Sequence, residues 1–262
     1  MRFEERRHAC PTDTQHIVNL SGYHWAMEAL SAVCNMRVLD AACGTGYGSY
    51  SLAAQARSIV GVDRDLPTIR EARRCYHRSN LCFLPMDCLT LAFKDASFDA
   101  VLSFETIEHV ANASQFLRGI TRVLTPDGWL VLSTPNGKSA GAVPENPFHH
   151  REYTRDELQA LLAEYFYSVR LFGRRLSPRL AGLEHELNGV RRFDPWGLRR
   201  FLPRRFRHQI GSLLSRSRSG ISLEEVTTAD VEYCEGLTAT STLLAICTGK
   251  IGPQSSERKR SG

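Results

Sequence analysis

The sequence has no uninterrupted apolar stretch close to the ~20 residues that a membrane-spanning helix needs. Its first residues, MRFEERRHACPTD, lack the apolar run of a secretory signal peptide. Eight cysteines are present, but no two have the C-x-x-C spacing of zinc or redox sites. We therefore expect a cytoplasmic protein with reduced cysteines. Four of them lie in apolar or glycine-rich runs and are predicted to be small buried side chains: Cys43, Cys82, Cys88 and Cys247.

Positive and negative residues are nearly balanced over most of the chain. The net charge is +5 over 262 residues, yet residues 174–219 alone contain twelve arginines and only three acidic residues. The basicity is therefore local. The hydrophobic share of 42% is ordinary for globular proteins and excludes collagen-like, low-complexity and disordered classes. The length allows one large domain with an elaboration, or two small domains.

Short apolar runs alternate with amphipathic stretches between residues 36 and 134, which predicts βαβ units and a mostly parallel sheet. Two further strands are predicted near the end of the chain. A helix is predicted over residues 14–34, and another from Thr154 to Glu164, begun by a capping box at Thr154 and Glu157. The predicted strands cover residues 36–41, 58–63, 81–87, 98–105, 128–134, 167–173 and 241–249.

Three of these strands end in an acidic residue: Asp63, Asp87 and Glu105. Ligands of open parallel sheets bind beyond the carboxyl ends of the strands, so these side chains should gather along one edge. Asp40, near the end of the first strand, should join them. The sheet edge is therefore the predicted ligand site.

The first strand runs into a glycine-rich turn, DAACGTGYGS (residues 40–49). Glycines permit a tight turn and close approach of the backbone to a ligand. The turn lacks the G-K-S/T of a P-loop, and Ser49 stands where a dinucleotide-binding G-x-G-x-x-G needs its last glycine. A nucleotide-like ligand is implied, with neither triphosphate nor dinucleotide favoured.

The segments VLDAACGTGYGS, GVDRD, MDC, SFETIEHV, LTPDGWLVLSTPN and LLAIC, taken in order, resemble the class I S-adenosylmethionine-dependent methyltransferases. The resemblance implies a Rossmann-like α/β fold with seven strands, the last antiparallel, and S-adenosylmethionine as cofactor. It places Asp63 at the ribose hydroxyls, Arg64 beside the adenine, and Asp87 with Cys88 at the adenine amino edge. The methionine part would be surrounded by Asp40, Cys43, Gly44 and Gly46.

The chemistry of these residues agrees with those roles. A carboxylate accepts hydrogen bonds from both hydroxyls of a vicinal diol, and Asp87 is an acceptor for an exocyclic N–H. The alternative for Asp63 and Asp87 is helix capping at the strand ends. In similar enzymes a helix before the sheet folds over the cofactor, so Tyr23 is a candidate to bind the methionine carboxylate. The alternative for Tyr23 is packing.

A second constellation follows the fourth strand. If the chain turns helical there, Glu105, Glu108 and His109 share one face, and His149 is placed to complete a divalent-cation site. The segment resembles methyltransferases that modify the 2′-hydroxyl of small RNAs or O-methylate quinone precursors, in which such residues accompany a metal ion. With NPFHHREYT (residues 146–154), it also resembles bacterial methyltransferases linked to cell-surface glycans.

The implied metal is Mg²⁺ or Mn²⁺, which would chelate a diol-like acceptor and lower the pKa of its hydroxyl. Many related enzymes carry E-H-V without a metal, and this alternative stays open. In that case the Glu of E-H-V, Glu108, faces the cofactor, and His109 or His149 is the candidate general base. The catalytic candidates are thus His109, His149 and Glu105.

Four regions are expected: an N-terminal helical cap (1–35), the cofactor-binding domain (36–173 with 241–249), a basic insertion (174–240) and a disordered tail (250–262). The insertion interleaves arginine with aromatic and aliphatic residues. It is a candidate cover over the sheet edge, a surface for an anionic acceptor, or an interfacial helix on acidic lipid.

These observations predict a methyltransferase that O-methylates a hydroxylated small molecule or glycan. The rival functions are methylation of RNA or of a quinone precursor, and a noncatalytic subunit that binds the cofactor and scaffolds a partner.

Overall fold

The computed structural model describes residues 14–30, 35–144, 146–181, 227–236 and 240–251. The predictions for most of the arginine-rich insertion, for residues 31–34 and for the tail from 252 lie outside the described residues. The helices are α1 (Thr14–Ala29), α2 (Tyr47–Leu52), α3 (Leu66–Cys75), α4 (Ala113–Val123) and α5 (Arg155–Ala163). The strands are β1 (Arg37–Ala41), β2 (Ser58–Asp63), β3 (Leu81–Pro85), β4 (Phe98–Ser103), β5 (Leu124–Pro135), β6 (Phe166–Leu176), β7 (Val231–Glu235) and β8 (Thr242–Lys250).

The strands form one sheet in the order β3-β2-β1-β4-β5-β8-β6-β7. Strands β1 to β5 are parallel to one another, and β8 is antiparallel to both β5 and β6. This confirms the predicted Rossmann-like α/β fold with an antiparallel last strand. The carboxyl ends of the parallel strands therefore share one edge.

The predicted number of seven strands is wrong, because the sheet has eight. The additional strand, β7, lies at the sheet edge beside β6. Its residues VEYCE lie within the segment that was predicted to be an insertion. On β7, Glu235 pairs with Arg170 at 3.1 Å and Glu232 pairs with Arg175 at 2.8 Å. Both arginines lie on β6, which is far from β7 in the sequence.

Several element boundaries follow directly from local chemistry. Strand β2 covers the predicted residues 58–63, and α5 begins at a capping box in which Thr154 and Glu157 bond each other's backbone N–H groups. Strand β4 ends at Ser103, two residues earlier than predicted, because Glu105 has a left-handed φ of 48°.

The core lies on both faces of the sheet, as a doubly wound sheet requires. On one face Leu130 and Leu132 of β5 pack in a cluster with Phe116 of α4 and Leu158 of α5. On the other face Val131 packs in a cluster that includes residues of α1 and α2. Because β5 is buried on both sides, its apolar run is continuous instead of alternating.

The described residues fall into two compact units. One contains 22–30, 35–144, 146–174, 233–236 and 240–251, and the other contains 14–21, 175–181 and 227–232. In the first, Cys43 and Cys247 are buried as predicted and Cys88 is half-buried. Cys82 is exposed, which corrects the prediction, because β3 is an edge strand. Among the described helices, none combines the length and apolar character needed to cross a membrane.

Candidate active site

The turn after β1 uses the backbone conformations that its glycines permit. Gly44 and Gly46 have φ of 55° and 84°, in the left-handed region that favours glycine. A Cβ on Gly46 would lie 2.5 Å from the Phe83 ring, whereas a Cβ on Gly44 would meet nothing within 4 Å. Gly46 is thus required for packing, and Gly44 leaves open space beside the turn.

Asp63 ties this turn to the end of β2. Its carboxylate is 2% exposed and accepts hydrogen bonds from the backbone N–H groups of Gly44 at 3.1 Å and Asp65 at 2.9 Å. These two bonds fix the orientation of the carboxylate. A carboxylate oxygen can accept more than one hydrogen bond.

A cavity of about 130 Å³ opens at this edge of the sheet. Four residues with predicted cofactor roles are among those that line it: Asp63, Arg64, Asp87 and Cys88. Burial raises the pKa of the Cys88 thiol to about 11, so this residue is a neutral part of the wall near neutral pH. His109 and His150 line the same cavity. The predicted gathering of Asp63 and Asp87 at one sheet edge is therefore confirmed.

Asp40 is fully buried and is not among the cavity's lining residues. Its carboxyl accepts a hydrogen bond from the Ser49 hydroxyl at 2.5 Å and a bifurcated one from the Tyr23 hydroxyl at 3.3 Å. Burial raises the pKa of Asp40 to about 7, against the opposing effect of these hydrogen bonds. Tyr23 is also buried, and its hydroxyl contacts Asp40. Its contact with the methionine carboxylate stays a prediction. Cys43 is likewise buried, and its thiol lies 3.7 Å from the Gly44 carbonyl oxygen.

A carboxylate and two imidazoles meet beside the cavity. One potential ligand atom from each of Glu108, His109 and His149 lies within 4.8 Å of the other two, and we call these three residues the imidazole–carboxylate group. Glu108 is 1% exposed; its Oε2 accepts from the Thr134 hydroxyl at 2.9 Å, and its Oε1 has no hydrogen-bond partner among the described residues. Burial, reinforced by the charge of Glu105, raises the pKa of Glu108.

Hydrogen bonds orient both imidazoles of this group. Nδ1 of His109 lies 3.0 Å from the Phe148 carbonyl oxygen, and Nδ1 of His149 lies 2.7 Å from Oε1 of Glu152. A carbonyl oxygen and a carboxylate only accept, so each Nδ1 carries the proton in the neutral ring. Nε2 of each ring is then the basic nitrogen. That of His149 lies 3.0 Å from the Asn146 side-chain nitrogen, which donates to it.

Glu105 lies outside the imidazole–carboxylate group. The helical segment after β4 is a single turn of 3-10 helix, Ile107–His109, and Glu105 precedes it in a left-handed conformation. The prediction that Glu105, Glu108 and His109 share one helical face is therefore wrong for Glu105. Its Oε1 accepts from the Ser133 hydroxyl at 2.6 Å, and its metal and catalytic roles stay predictions.

Sequence reasoning missed the residues that support this site. Ser49 and Thr134 bond the buried carboxyls of Asp40 and Glu108, and Glu152 and Asn146 hold His149. The spacing of His149 and Glu152 is a weak signal that could have been used. The equal spacing of Asn146 and His149 is a second weak signal. Ser49 lies nine residues from Asp40, and Thr134 lies 26 residues from Glu108, so these two pairs have no local pattern.

Part of the chain is similar in sequence to known methyltransferases. Residues 39–132 match a protein family described as a methyltransferase domain. A probable S-adenosylmethionine-dependent methyltransferase of Mycobacterium tuberculosis is 37% identical over 172 residues, which is 62% of this chain and 60% of that protein. A ubiquinone biosynthesis O-methyltransferase of Bradyrhizobium diazoefficiens is 32% identical over 112 residues, which is 42% of this chain and 44% of that protein. The chain thus spans less than two thirds of these relatives.

Solved structures share the fold. A possible histamine N-methyltransferase from Thermotoga maritima has a TM-score of 0.58 at 17% identity, covering 90% of this chain and 92% of that one. A 1,6-didemethyltoxoflavin-N1-methyltransferase from Burkholderia thailandensis, solved with S-adenosylhomocysteine, has a TM-score of 0.50 at 22% identity, covering 58% and 70%.

Proposed function

We propose that this protein, in which residues 39–132 match a methyltransferase domain family, transfers a methyl group from S-adenosylmethionine to a hydroxyl oxygen of a small molecule or glycan. The observation that carries the proposal is the juxtaposition of the Asp63–Asp87 cavity with the imidazole–carboxylate group: His109 belongs to both. The Asp63–Asp87 cavity suits the nucleoside of the cofactor, and the imidazole–carboxylate group suits activation of a hydroxyl.

The cavity fits S-adenosylmethionine in its chemistry. Asp63 is fixed by two backbone donors and has acceptor capacity for the ribose hydroxyls, and Asp87 and Cys88 are available to the adenine. Open space beside Gly44 leaves room for the methionine part. The sulfonium already activates the methyl group, so the protein's main contribution is to align the acceptor and to receive its proton.

The imidazole–carboxylate group has the features of a divalent-cation site. Glu108 has an orphaned buried oxygen, and both imidazoles are fixed through Nδ1 by acceptor atoms, as metal-bound histidines are. Glu108, His109 and His149 would hold Mn²⁺ or Mg²⁺. A bound ion would lower the pKa of the acceptor hydroxyl. Without a metal, the His149–Glu152 pair receives the proton: Glu152 holds Nδ1–H, and Nε2 becomes the base when the acceptor hydroxyl takes the place of the Asn146 donor.

The experiment is an S-adenosylhomocysteine-release assay over diols, catechols, sugar nucleotides and RNA, each with Mn²⁺ or with a chelator. We expect turnover with hydroxylated small acceptors that is stimulated by Mn²⁺. Activity that survives exhaustive chelation would remove the metal and leave His149 as the base. Turnover with RNA alone would overturn the acceptor class. Cofactor binding without release on any acceptor would favour a noncatalytic scaffold.

A quinone precursor is the second candidate acceptor. It is favoured by the similarity to the Bradyrhizobium O-methyltransferase, and its adjacent ring oxygens would suit the same imidazole–carboxylate group. The catechol arm of the assay tests it directly: selective turnover of catechols over sugar nucleotides would support this candidate.

Glu108→Gln tests the metal separately from turnover. Replacing this buried acid, whose Oε1 has no hydrogen-bond partner among the described residues, by a neutral side chain should raise the thermal midpoint of the metal-free protein. The wild-type midpoint should rise with Mn²⁺, by the equivalent of about 2.7 kcal/mol at one hundred times the dissociation constant. The variant should not respond. Glu164→Gln, at an exposed carboxylate, is the matched control and should respond like the wild type. Equal Mn²⁺ responses in all three proteins would contradict the site.

A further inference from the structure

The cavity that contains Asp63 and Asp87 has one lining residue from beyond β5. The other lining residues follow the carboxyl ends of β1 to β4, with Ala42, Asp63, Asp87 and Thr106 among them. His150 comes instead from the segment between β5 and α5. The cavity wall formed by residues at the ends of β1 to β4 thus also includes a residue from the β5–α5 segment.

His150 is held at the cavity by its backbone. The N–H of His150 donates to the Glu108 carbonyl oxygen at 2.7 Å, and the N–H of Arg151 donates to the same oxygen at 3.3 Å. These bonds attach the β5–α5 segment to the short helix after β4. The position of His150 therefore depends on main-chain contacts and not on its own ring, which is exposed.

His149 and His150 are adjacent in the sequence but have different surroundings. The ring of His149 contacts Glu152, Asn146 and the His109 ring, whose centroid lies 4.7 Å away. His150 instead lines the cavity with Asp63 and Asp87. An exposed imidazole at the wall of this cavity offers a flat aromatic face, and stacking on such a face is a general way to bind a base.

We propose that His150 is a cofactor-binding residue whose imidazole packs against the adenosyl part of S-adenosylmethionine. The inference rests on the proposed function, since it requires the nucleoside to occupy this cavity. It assigns a role to the second histidine of the His149–His150 pair that is separate from metal binding and proton transfer. Binding of the nucleoside would cover the exposed ring and complete the cavity wall with the segment that also carries His149.

The test is calorimetric titration of wild type, His150→Ala and His150→Phe with two probes, S-adenosylhomocysteine and 5′-methylthioadenosine. The second probe lacks the amino-acid part. We expect His150→Ala to weaken both probes by a similar factor, about five- to tenfold, and His150→Phe to stay within about threefold of wild type because it keeps an aromatic face. His77→Ala, which also removes an exposed imidazole, is the matched control and should bind like wild type.

The outcomes separate this inference from the proposed function. Wild-type affinity in His150→Ala would overturn the role of His150 and leave the proposed function intact. A loss for S-adenosylhomocysteine alone would place the contact on the amino-acid part and would also overturn it. Failure of the wild type to bind either probe would overturn the proposed function, and the inference with it. Unchanged thermal midpoints of the variants show that any loss of affinity is local.

Discussion

At the scale of single residues, Asp63 is the side chain with the most direct predicted contact to the cofactor. Asp63→Ala should lower the affinity for S-adenosylmethionine at least tenfold in calorimetry, because it removes the acceptor for the ribose hydroxyls. The exposed Asp127→Ala is the matched control. Unchanged affinity in Asp63→Ala would refute the role of this carboxylate.

Asp40 makes a prediction about pH. Its pKa in the unfolded chain is ~3.9, whereas burial raises the pKa of the folded state to about 7. Between these values the unfolded chain releases the proton and the folded chain keeps it, so rising pH favours unfolding. Below pH ~4 and above pH ~7 the folded and unfolded states bind the same number of protons at Asp40, so the contribution of Asp40 to the unfolding free energy is constant.

Asp40→Asn should therefore gain stability relative to wild type as the pH rises from 4.5 to 7. Urea unfolding of both proteins across this range measures the difference in unfolding free energy. Asp127→Asn, at an exposed carboxylate, is the control. A difference between Asp40→Asn and wild type that does not change with pH would show that Asp40 titrates alike in both states.

At the scale of elements, α1 and α2 meet at Tyr23 and Gly48. A Cβ on Gly48 would lie 2.1 Å from the Tyr23 ring, so Gly48→Ala must displace the ring from Asp40 and should destabilise the fold by about 1–3 kcal/mol. In a Tyr23→Ala background the space is empty. There Gly48→Ala should stabilise by about 0.5–1 kcal/mol, because alanine is the better helix former.

A double-mutant cycle by urea unfolding measures this reversal of sign. Gly119→Ala, in α4, is the control: its nearest neighbour would be 3.8 Å from the new Cβ, so it should stabilise in both backgrounds. A cost for Gly48→Ala that is the same with and without Tyr23 would contradict the packing of this helix pair.

The elements also show what the sequence could predict. Strand β2 and the start of α5 follow from an apolar run and a capping box, which are local patterns. Strand β7 was missed because VEYCE is weakly apolar and is paired through Glu232 and Glu235 to arginines of β6 that are 57 and 65 residues away. The left-handed turn at Glu105 was missed because it depends on bonds from its N–H to Ser133, again far along the chain.

At the scale of the whole molecule, the parallel strands bring the acidic residues together, as their positions at strand ends predicted. Asp63 and Asp87 share one cavity with His109 because β2, β3 and β4 end at the same edge. The detailed roles were less predictable. Asp40, also near a strand end, is buried with Tyr23 and Ser49, since side chains alternate across a strand and only some face the opening.

The measurement that tests the account most directly is a crystal structure of the protein with S-adenosylhomocysteine. The account predicts the ribose hydroxyls on the Asp63 carboxylate, the adenine beside Asp87 and Cys88, and the sulfur directed toward the imidazole–carboxylate group. A complex in which the nucleoside lies elsewhere, or in which protein side chains fill the space beside Gly44 and Asp63, would contradict it.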